Sequence, residues 1–165
     1  MDDFKKYLIY IENELTDKAL DVAITAHMLQ KRRDDSPYIN HPVAVAELVE
    51  KVKKSHKISD LIAAAFLHDT VEDTPMTVET IKKKFGDVVG SLVAELTSDK
   101  EQVKKIGKTQ YLIDKMMNMS NWGLVIKLAD RAHNTSDLKN ADAKFREKYT
   151  KETKEKREVT AQKIG

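Results

Sequence analysis

Only five glycines and three prolines interrupt the 165 residues of this chain, and that scarcity of breakers constrains the fold more than any other feature. Relative to alanine, glycine costs a helix interior about 1 kcal/mol and proline about 3 kcal/mol, so wide spacing of both leaves long stretches free to be helical. Within those stretches apolar residues recur with a helical period. Thr16 is read as a cap, after which Leu20, Ala23, Ile24 and His27 fall on one face. RRDDSPYIN is polar and turn-like, and Pro42 can take the first helical position before VAVAELVEKV. Ser59 is placed as the cap of DLIAAAFLHD, and a helix from Thr77 to about Phe85 ends at Gly86, a good left-handed terminator. DVVGSLVAELT follows, and 99–108 read as a lysine-rich connection. TQYLIDKMMNM and LVIKLADRAHNTSDL each read as an amphipathic helix; Leu124, Val125 and Ile126 have strand-like side chains, but the run is too short and isolated for a sheet. From about Ala141 the chain is dense in Lys and Glu, with Phe145, Tyr149 and Val159 as sparse apolar anchors, and reads as a charged surface helix that frays at its end. The expectation is an all-α protein, a single domain over residues 1–165 with roughly seven to nine helices.

Bulk numbers narrow the class. Hydrophobic residues make up 41% and charged residues 34%, the composition of a globular chain with a heavily solvated surface. A formal net charge of +2 and the lack of an aromatic-interleaved basic patch argue against a nucleic-acid partner. The absence of cysteine excludes disulfides and thiolate metal sites. MDDFKKYLIYIENEL is acidic from its second residue and does not read as a signal peptide, and no run approaches the ~18 apolar residues of a spanning helix. The expected setting is cytoplasmic, with no membrane partner.

The chemistry gathers where AAAFLHDTVEDT runs from hydrocarbon into His68, Asp69, Glu72 and Asp73. Ionised carboxylates taken out of water cost several kcal/mol each unless compensated, and a bound cation is one compensation. Adjacent side chains on a helix point about 100° apart, so His68 and Asp69 reach one ion only where the helix ends or the ion sits between them. Glu72 and Asp73 each lie four residues beyond one of that pair. His41 stands between a turn and an apolar helix, and Asp130 follows LVIKLA, five of whose six residues are apolar, with Asn134 on its face and Lys127 one turn upstream. Two imidazoles and two carboxylates suit Mn, Fe, Co, Ni or Zn better than Ca or Mg. Each residue alone has an ordinary reading: a cap or surface role for His41, a chance HD pair, an ion pair of Asp130 with Arg131 or Lys127. His27 and His133 read as structural or supporting residues and His56 as solvent-facing. Their joint order decides between the readings.

In that order, PYINHP, FLHDTVEDT and KLADRAHN resemble the HD-superfamily hydrolase domain of the Rel/SpoT alarmone enzymes, from AITAHMLQKRR to Leu138. HDTVEDT is much more specific than a bare HD, because the Glu-Asp pair one turn on marks this branch. The resemblance implies an all-α metal-dependent phosphohydrolase that removes the 3′-pyrophosphate from (p)ppGpp, giving GDP or GTP and pyrophosphate, usually with one Mn²⁺. The length matches a stand-alone small alarmone hydrolase, which VAELTSDK also resembles. Carried over, it implies His41, His68, Asp69 and Asp130 as metal ligands, with Glu72 and Asp73 managing the attacking water. It implies Arg32 and Arg33 at the substrate, Asn134 near the ribose, and Tyr149 closing over the nucleotide. Lys127 and Arg131 are further candidates for substrate contact by their charge.

One departure stands out: the family usually carries Arg two residues after HN, and this chain has Ser136. Two alternatives therefore stay open. One is an HD phosphohydrolase acting on another nucleotide, such as a dNTP, a nucleoside monophosphate or a phosphorylated dinucleotide. The other is a module that binds nucleotide without turnover, against which the complete ligand set counts.

Overall fold

In the computed structural model, the described residues are 14–137 together with 147, 150, 151, 153–155, 158, 161 and 162. Nine helices run through them: α1 Glu14–Ala26, α2 Asn40–Val52, α3 Ile58–Leu67, the single turn α4 Thr70–Asp73, α5 Val78–Phe85, α6 Asp87–Leu96, α7 Lys100–Ile106, α8 Lys108–Asn118 and α9 Asn121–Ser136. Among the described residues the only β pairing is an isolated bridge between Lys31 and Pro37.

The apolar run before His68 decides the architecture. Every residue of α3 from Leu61 to Leu67 is buried, with Phe66 fully so. A helix apolar on all sides must be wrapped, and α1, α2, α6 and α9 pack around it. Each large side chain so buried contributes about 1.5–3 kcal/mol. The wrapping helices offer single stripes: Val45, Ala46 and Val49 of α2, Val89, Leu92 and Val93 of α6, Leu124 and Ile126 of α9. Leu124, Val125 and Ile126 are thus helical, as their isolation required.

Helix ends follow local chemistry, with several corrections. Thr77 caps α5 by accepting from Thr80 N over 3.2 Å, and Gly86, at φ +89°, takes up the turn that ends it. Thr16 is not a cap; it lies inside α1 and is buried. The buried stripe of α1 is Thr16, Ala19, Leu20 and Ala23, with His27 just beyond, so Ile24 falls at its edge, 41% exposed. Ser59 lies within the first turn of α3, and the nearby cap-like contact is Lys57 N to Ser55 Oγ at 3.1 Å. Pro42 is the third residue of α2 rather than the first, still within the turn where its missing N–H costs nothing. The lysine-rich connection contains a helix, α7, started by Asp99 accepting from Glu101 N and Gln102 N over 2.9 and 3.1 Å. Most of the charged tail, Phe145, Tyr149 and Val159 included, lies outside the described residues.

Candidate metal centre

Three stretches far apart in sequence bring their polar ends to one place. His41 opens α2, His68 and Asp69 form the step between α3 and α4, and Asp130 sits in the last half of α9. The helix does end at His68 and Asp69, though both keep right-handed backbone angles, which lets both side chains turn to the same side. His41 Nε2 lies 3.0 Å from Asp130 Oδ1 and 3.6 Å from Asp69 Oδ2. His68 Nε2 lies 3.0 Å from Asp69 Oδ2 and 3.5 Å from Asp130 Oδ1. His41, His68 and Asp130 are buried and offer one ligand atom each within 4.8 Å of one another, a cluster suited to a metal ion.

The tautomers fit that reading. His68 donates from Nδ1 to Ala65 O over 2.7 Å, so in its neutral form Nε2 is a bare lone pair. That nitrogen is buried without a hydrogen bond, among carboxylate oxygens. Lone pairs turned toward carboxylates repel unless positive charge lies between them, and either a proton or a cation provides it. The electrostatics carry the same demand: burial disfavours a charged His68, yet Asp69 and Asp130 together push its pKa well above the usual histidine range. Burial works against Asp69 too, but His68 holds its carboxyl down to about 2. Asp130 is held well below the carboxylate range against its burial, first by Lys127 and then by the two histidines.

A second ring of contacts fixes these groups. His41 Nδ1 meets His133 Nδ1 at 2.7 Å. Burial, with His41 and Arg32 adding to it, lowers the His133 pKa to about 4, so His133 is neutral and can accept from His41. His41 Nε2 in turn hydrogen-bonds Asp130 Oδ1 over 3.0 Å, where the carboxylate accepts; a bound ion would take the place of that proton, with His41 Nδ1 then donating to His133. Asn134 Nδ2 and Lys127 Nζ donate to Asp130 over 2.9 and 3.0 Å. Tyr38 donates its hydroxyl to Asp69 Oδ2 over 2.6 Å, and burial and the charge of Asp69 keep it a phenol by raising its pKa.

Glu72 and Asp73 project from α4, one turn beyond. Glu72 Oε1 accepts from Ser98 N. Asp73 Oδ2 accepts from Gln30 Nε2 over 3.1 Å, and Gln30 Oε1 in turn meets His27 Nδ1 at 2.8 Å. A glutamine whose amide nitrogen faces a carboxylate must present its oxygen to His27, so His27 carries its proton on Nδ1. Arg32 reaches the same region: its Nη2 bonds Asn134 Oδ1 over 3.2 Å and Asp137 Oδ2 over 2.7 Å. Arg33 is exposed beside it. Lys127 is committed to Asp130, and Arg131 instead donates from Nε to Thr153 Oγ1 over 3.0 Å. Tyr149 lies outside the described residues. Tyr38 and Gln30 were not singled out by sequence; the only sign was Tyr38 within PYINHP, three residues before His41.

An all-helical chain that converges a histidine, an adjacent His-Asp pair and a distant aspartate in this order is an HD-type protein. A profile of the family described as HD domain matches residues 19–155, and the chain belongs to that family. It is 37% identical over 127 residues to the human guanosine-3′,5′-bis(diphosphate) 3′-pyrophosphohydrolase MESH1, covering 73% of this chain and 68% of that protein. Against the guanosine-3′,5′-bis(diphosphate) 3′-pyrophosphohydrolase of Aquifex aeolicus it is 34% identical over 175 residues, spanning 99% of this chain and 24% of that longer protein. A solved structure described as a metazoan ortholog of SpoT that hydrolyzes ppGpp and plays a role in starvation responses superposes with a TM-score of 0.80 at 29% identity, over 90% of this chain and 86% of that one. Among the described residues no helix is long and apolar enough to cross a membrane.

Proposed function

We propose that this chain is a metal-dependent hydrolase of ppGpp and pppGpp, cutting at the 3′-pyrophosphate to release GDP or GTP and pyrophosphate. The observation that carries the reading is the convergence of His41, His68, Asp69 and Asp130 around the unpartnered Nε2 of His68. The human relative's name and the solved SpoT ortholog support the substrate.

The four converging residues would hold one divalent ion, Mn²⁺ by the resemblance to the Rel/SpoT enzymes. When bound, such an ion lowers the pKa of a water and neutralises a phosphoryl oxygen. Glu72 or Asp73 accepts the one proton that the attacking water gives up. Each has one carboxylate oxygen engaged, by Ser98 N and Gln30 respectively, which fixes its direction and leaves the other oxygen as a base. The bond from phosphorus to the ribose 3′-oxygen breaks, and that oxygen leaves with a proton as the 3′-hydroxyl. Arg32 spends one amino group on Asn134 and Asp137, and its remaining N–H donors are available to a diphosphate. Arg33 adds exposed positive charge, and Asn134 connects Arg32 to Asp130.

The test is a product-resolved assay with Mn²⁺ and with chelator. ppGpp should yield GDP and pyrophosphate, and inertness of the loaded protein toward every alarmone would sink the reading. Asp69→Ala should abolish metal binding and turnover together, whereas Glu72→Ala should spare the metal and lose the rate. A second substrate class rests on one observation: Asp137 shares the charge of Arg32, and Ser136 stands where the family usually has Arg. That softens the anion clamp, so a dNTP, a nucleoside monophosphate and a phosphorylated dinucleotide belong in the same assay.

A further inference from the structure

We infer that Tyr38 is a positioning residue for Asp69, its hydroxyl fixing the direction in which that carboxylate faces the ion. The inference rests on the reading of Asp69 as a ligand. Of the four converging side chains Asp69 is the most exposed, at 19%, against 1% for His41, 3% for His68 and 10% for Asp130. It also sits on the step between two helices rather than inside one. Asp130 is gripped from outside the ligand set by Asn134 and Lys127. Among the described residues Tyr38 is the one hydrogen-bond donor that grips Asp69 in the same way, and it does so on Oδ2, the oxygen nearest both histidines.

Tyr38 is built to hold still. Its backbone N–H donates to Gln30 O over 3.0 Å, and its carbonyl accepts from His41 N over 2.9 Å. Its ring packs 4.8 Å from the His27 ring and 5.9 Å, edge on, from that of His41. Arg32 lies over the ring, with Cζ 5.8 Å from the centroid. The hydroxyl therefore arrives at Asp69 from a side chain with little rotamer freedom left to lose. Groups that orient metal-binding side chains from outside commonly account for 10–100-fold in metal affinity.

Tyr38→Phe keeps the ring and removes only the O–H. Calorimetric titration should show Mn²⁺ affinity lower by roughly 10–100-fold, and the visible absorption bands of the Co²⁺-loaded protein should shift. The metal-free melting temperature should fall by roughly 3–12 °C, the effect of one lost hydrogen bond to a charged group in a chain of this size. At saturating Mn²⁺ the KM for ppGpp should stay unchanged. A purely structural role would lower the melting temperature and leave the Co²⁺ bands alone, which would overturn the inference. Unchanged Mn²⁺ affinity would also overturn it. Asp69→Ala, run alongside, separates the two failures. If that variant loses Mn²⁺ while Tyr38→Phe keeps it, only the positioning role falls; if both keep it, the ligand reading falls and takes this inference with it.

Discussion

Replacing Asp130 by asparagine should destabilise the metal-free protein through Lys127. The ammonium of Lys127 lies 3.0 Å from Asp130 Oδ2, with its side chain only 17% exposed. Burial alone would lower the pKa of Lys127, but Asp130 reverses this and raises it. Removing one partner of a buried ion pair costs about 3–5 kcal/mol, because the other charge is left without compensation. Asp69 and Glu72 also attract Lys127, so the loss should sit at the lower end, about 3 kcal/mol. With a urea m-value of about 2 kcal/mol/M, the unfolding midpoint in EDTA at pH 7 should drop by roughly 1.5 M. The decisive measurement is the double variant with Lys127→Met. If the orphaned charge is the cause, the double variant should recover more than half of the loss, a coupling of roughly 1.5 kcal/mol or more. Additive effects of the two substitutions would refute the reasoning, and so would an Asp130→Asn variant within about 0.5 kcal/mol of wild type.

Phe66→Ala, at the fully buried centre of α3, should cost about 3–5 kcal/mol in urea unfolding. His133 has a folded pKa depressed from 6.5 to about 4, so between those values the unfolded chain binds more protons and stability falls as pH drops from 6.5 through 4. The full shift would be worth roughly 3 kcal/mol; His133 is only half buried, and the expected loss is about 1–2 kcal/mol. In chelated protein His133→Gln should flatten that limb of the stability curve. Mn²⁺ at a hundredfold over its Kd should stabilise by about 2.7 kcal/mol, raising the melting temperature by roughly 5–11 °C, and His68→Ala should abolish the shift.

The parts of the fold that were legible in the sequence are those set by local rules. Helical periodicity found α2, α3, α5, α6, α8 and α9, and Gly86 ended α5 as a glycine in a left-handed turn does. His41, His68, Asp69 and Asp130 were legible as a set, and they do converge, because each stands where an apolar helix begins or where its buried side turns polar. Thr16 and Ser59 misled because Ser and Thr are also tolerated inside helices, Thr16 at a buried position of α1 and Ser59 within the first turn of α3. Tyr38 and Gln30 left no periodic trace: their partners Asp69 and Asp73 lie 31 and 43 residues away, and only the folded chain makes those neighbours. Arg131 looked like Lys127 in sequence, yet one turn of helix directs Lys127 to Asp130 and Arg131 to Thr153.

The seven buried residues from Leu61 to Leu67 leave α3 no solvent-facing side into which it could rotate. The aim of His68 and Asp69 is therefore inherited from the shapes of side chains that never meet a nucleotide. An insertion of one residue between Leu67 and His68 would swing the pair by about 100°, and a swap of alanine for a larger residue at Ala63–Ala65 would tilt it. Selection for a well-filled interior and selection for turnover thus fall on the same short segment. Variants of Ala64 or Phe66 that melt like the parent should be screened for activity before being counted as neutral.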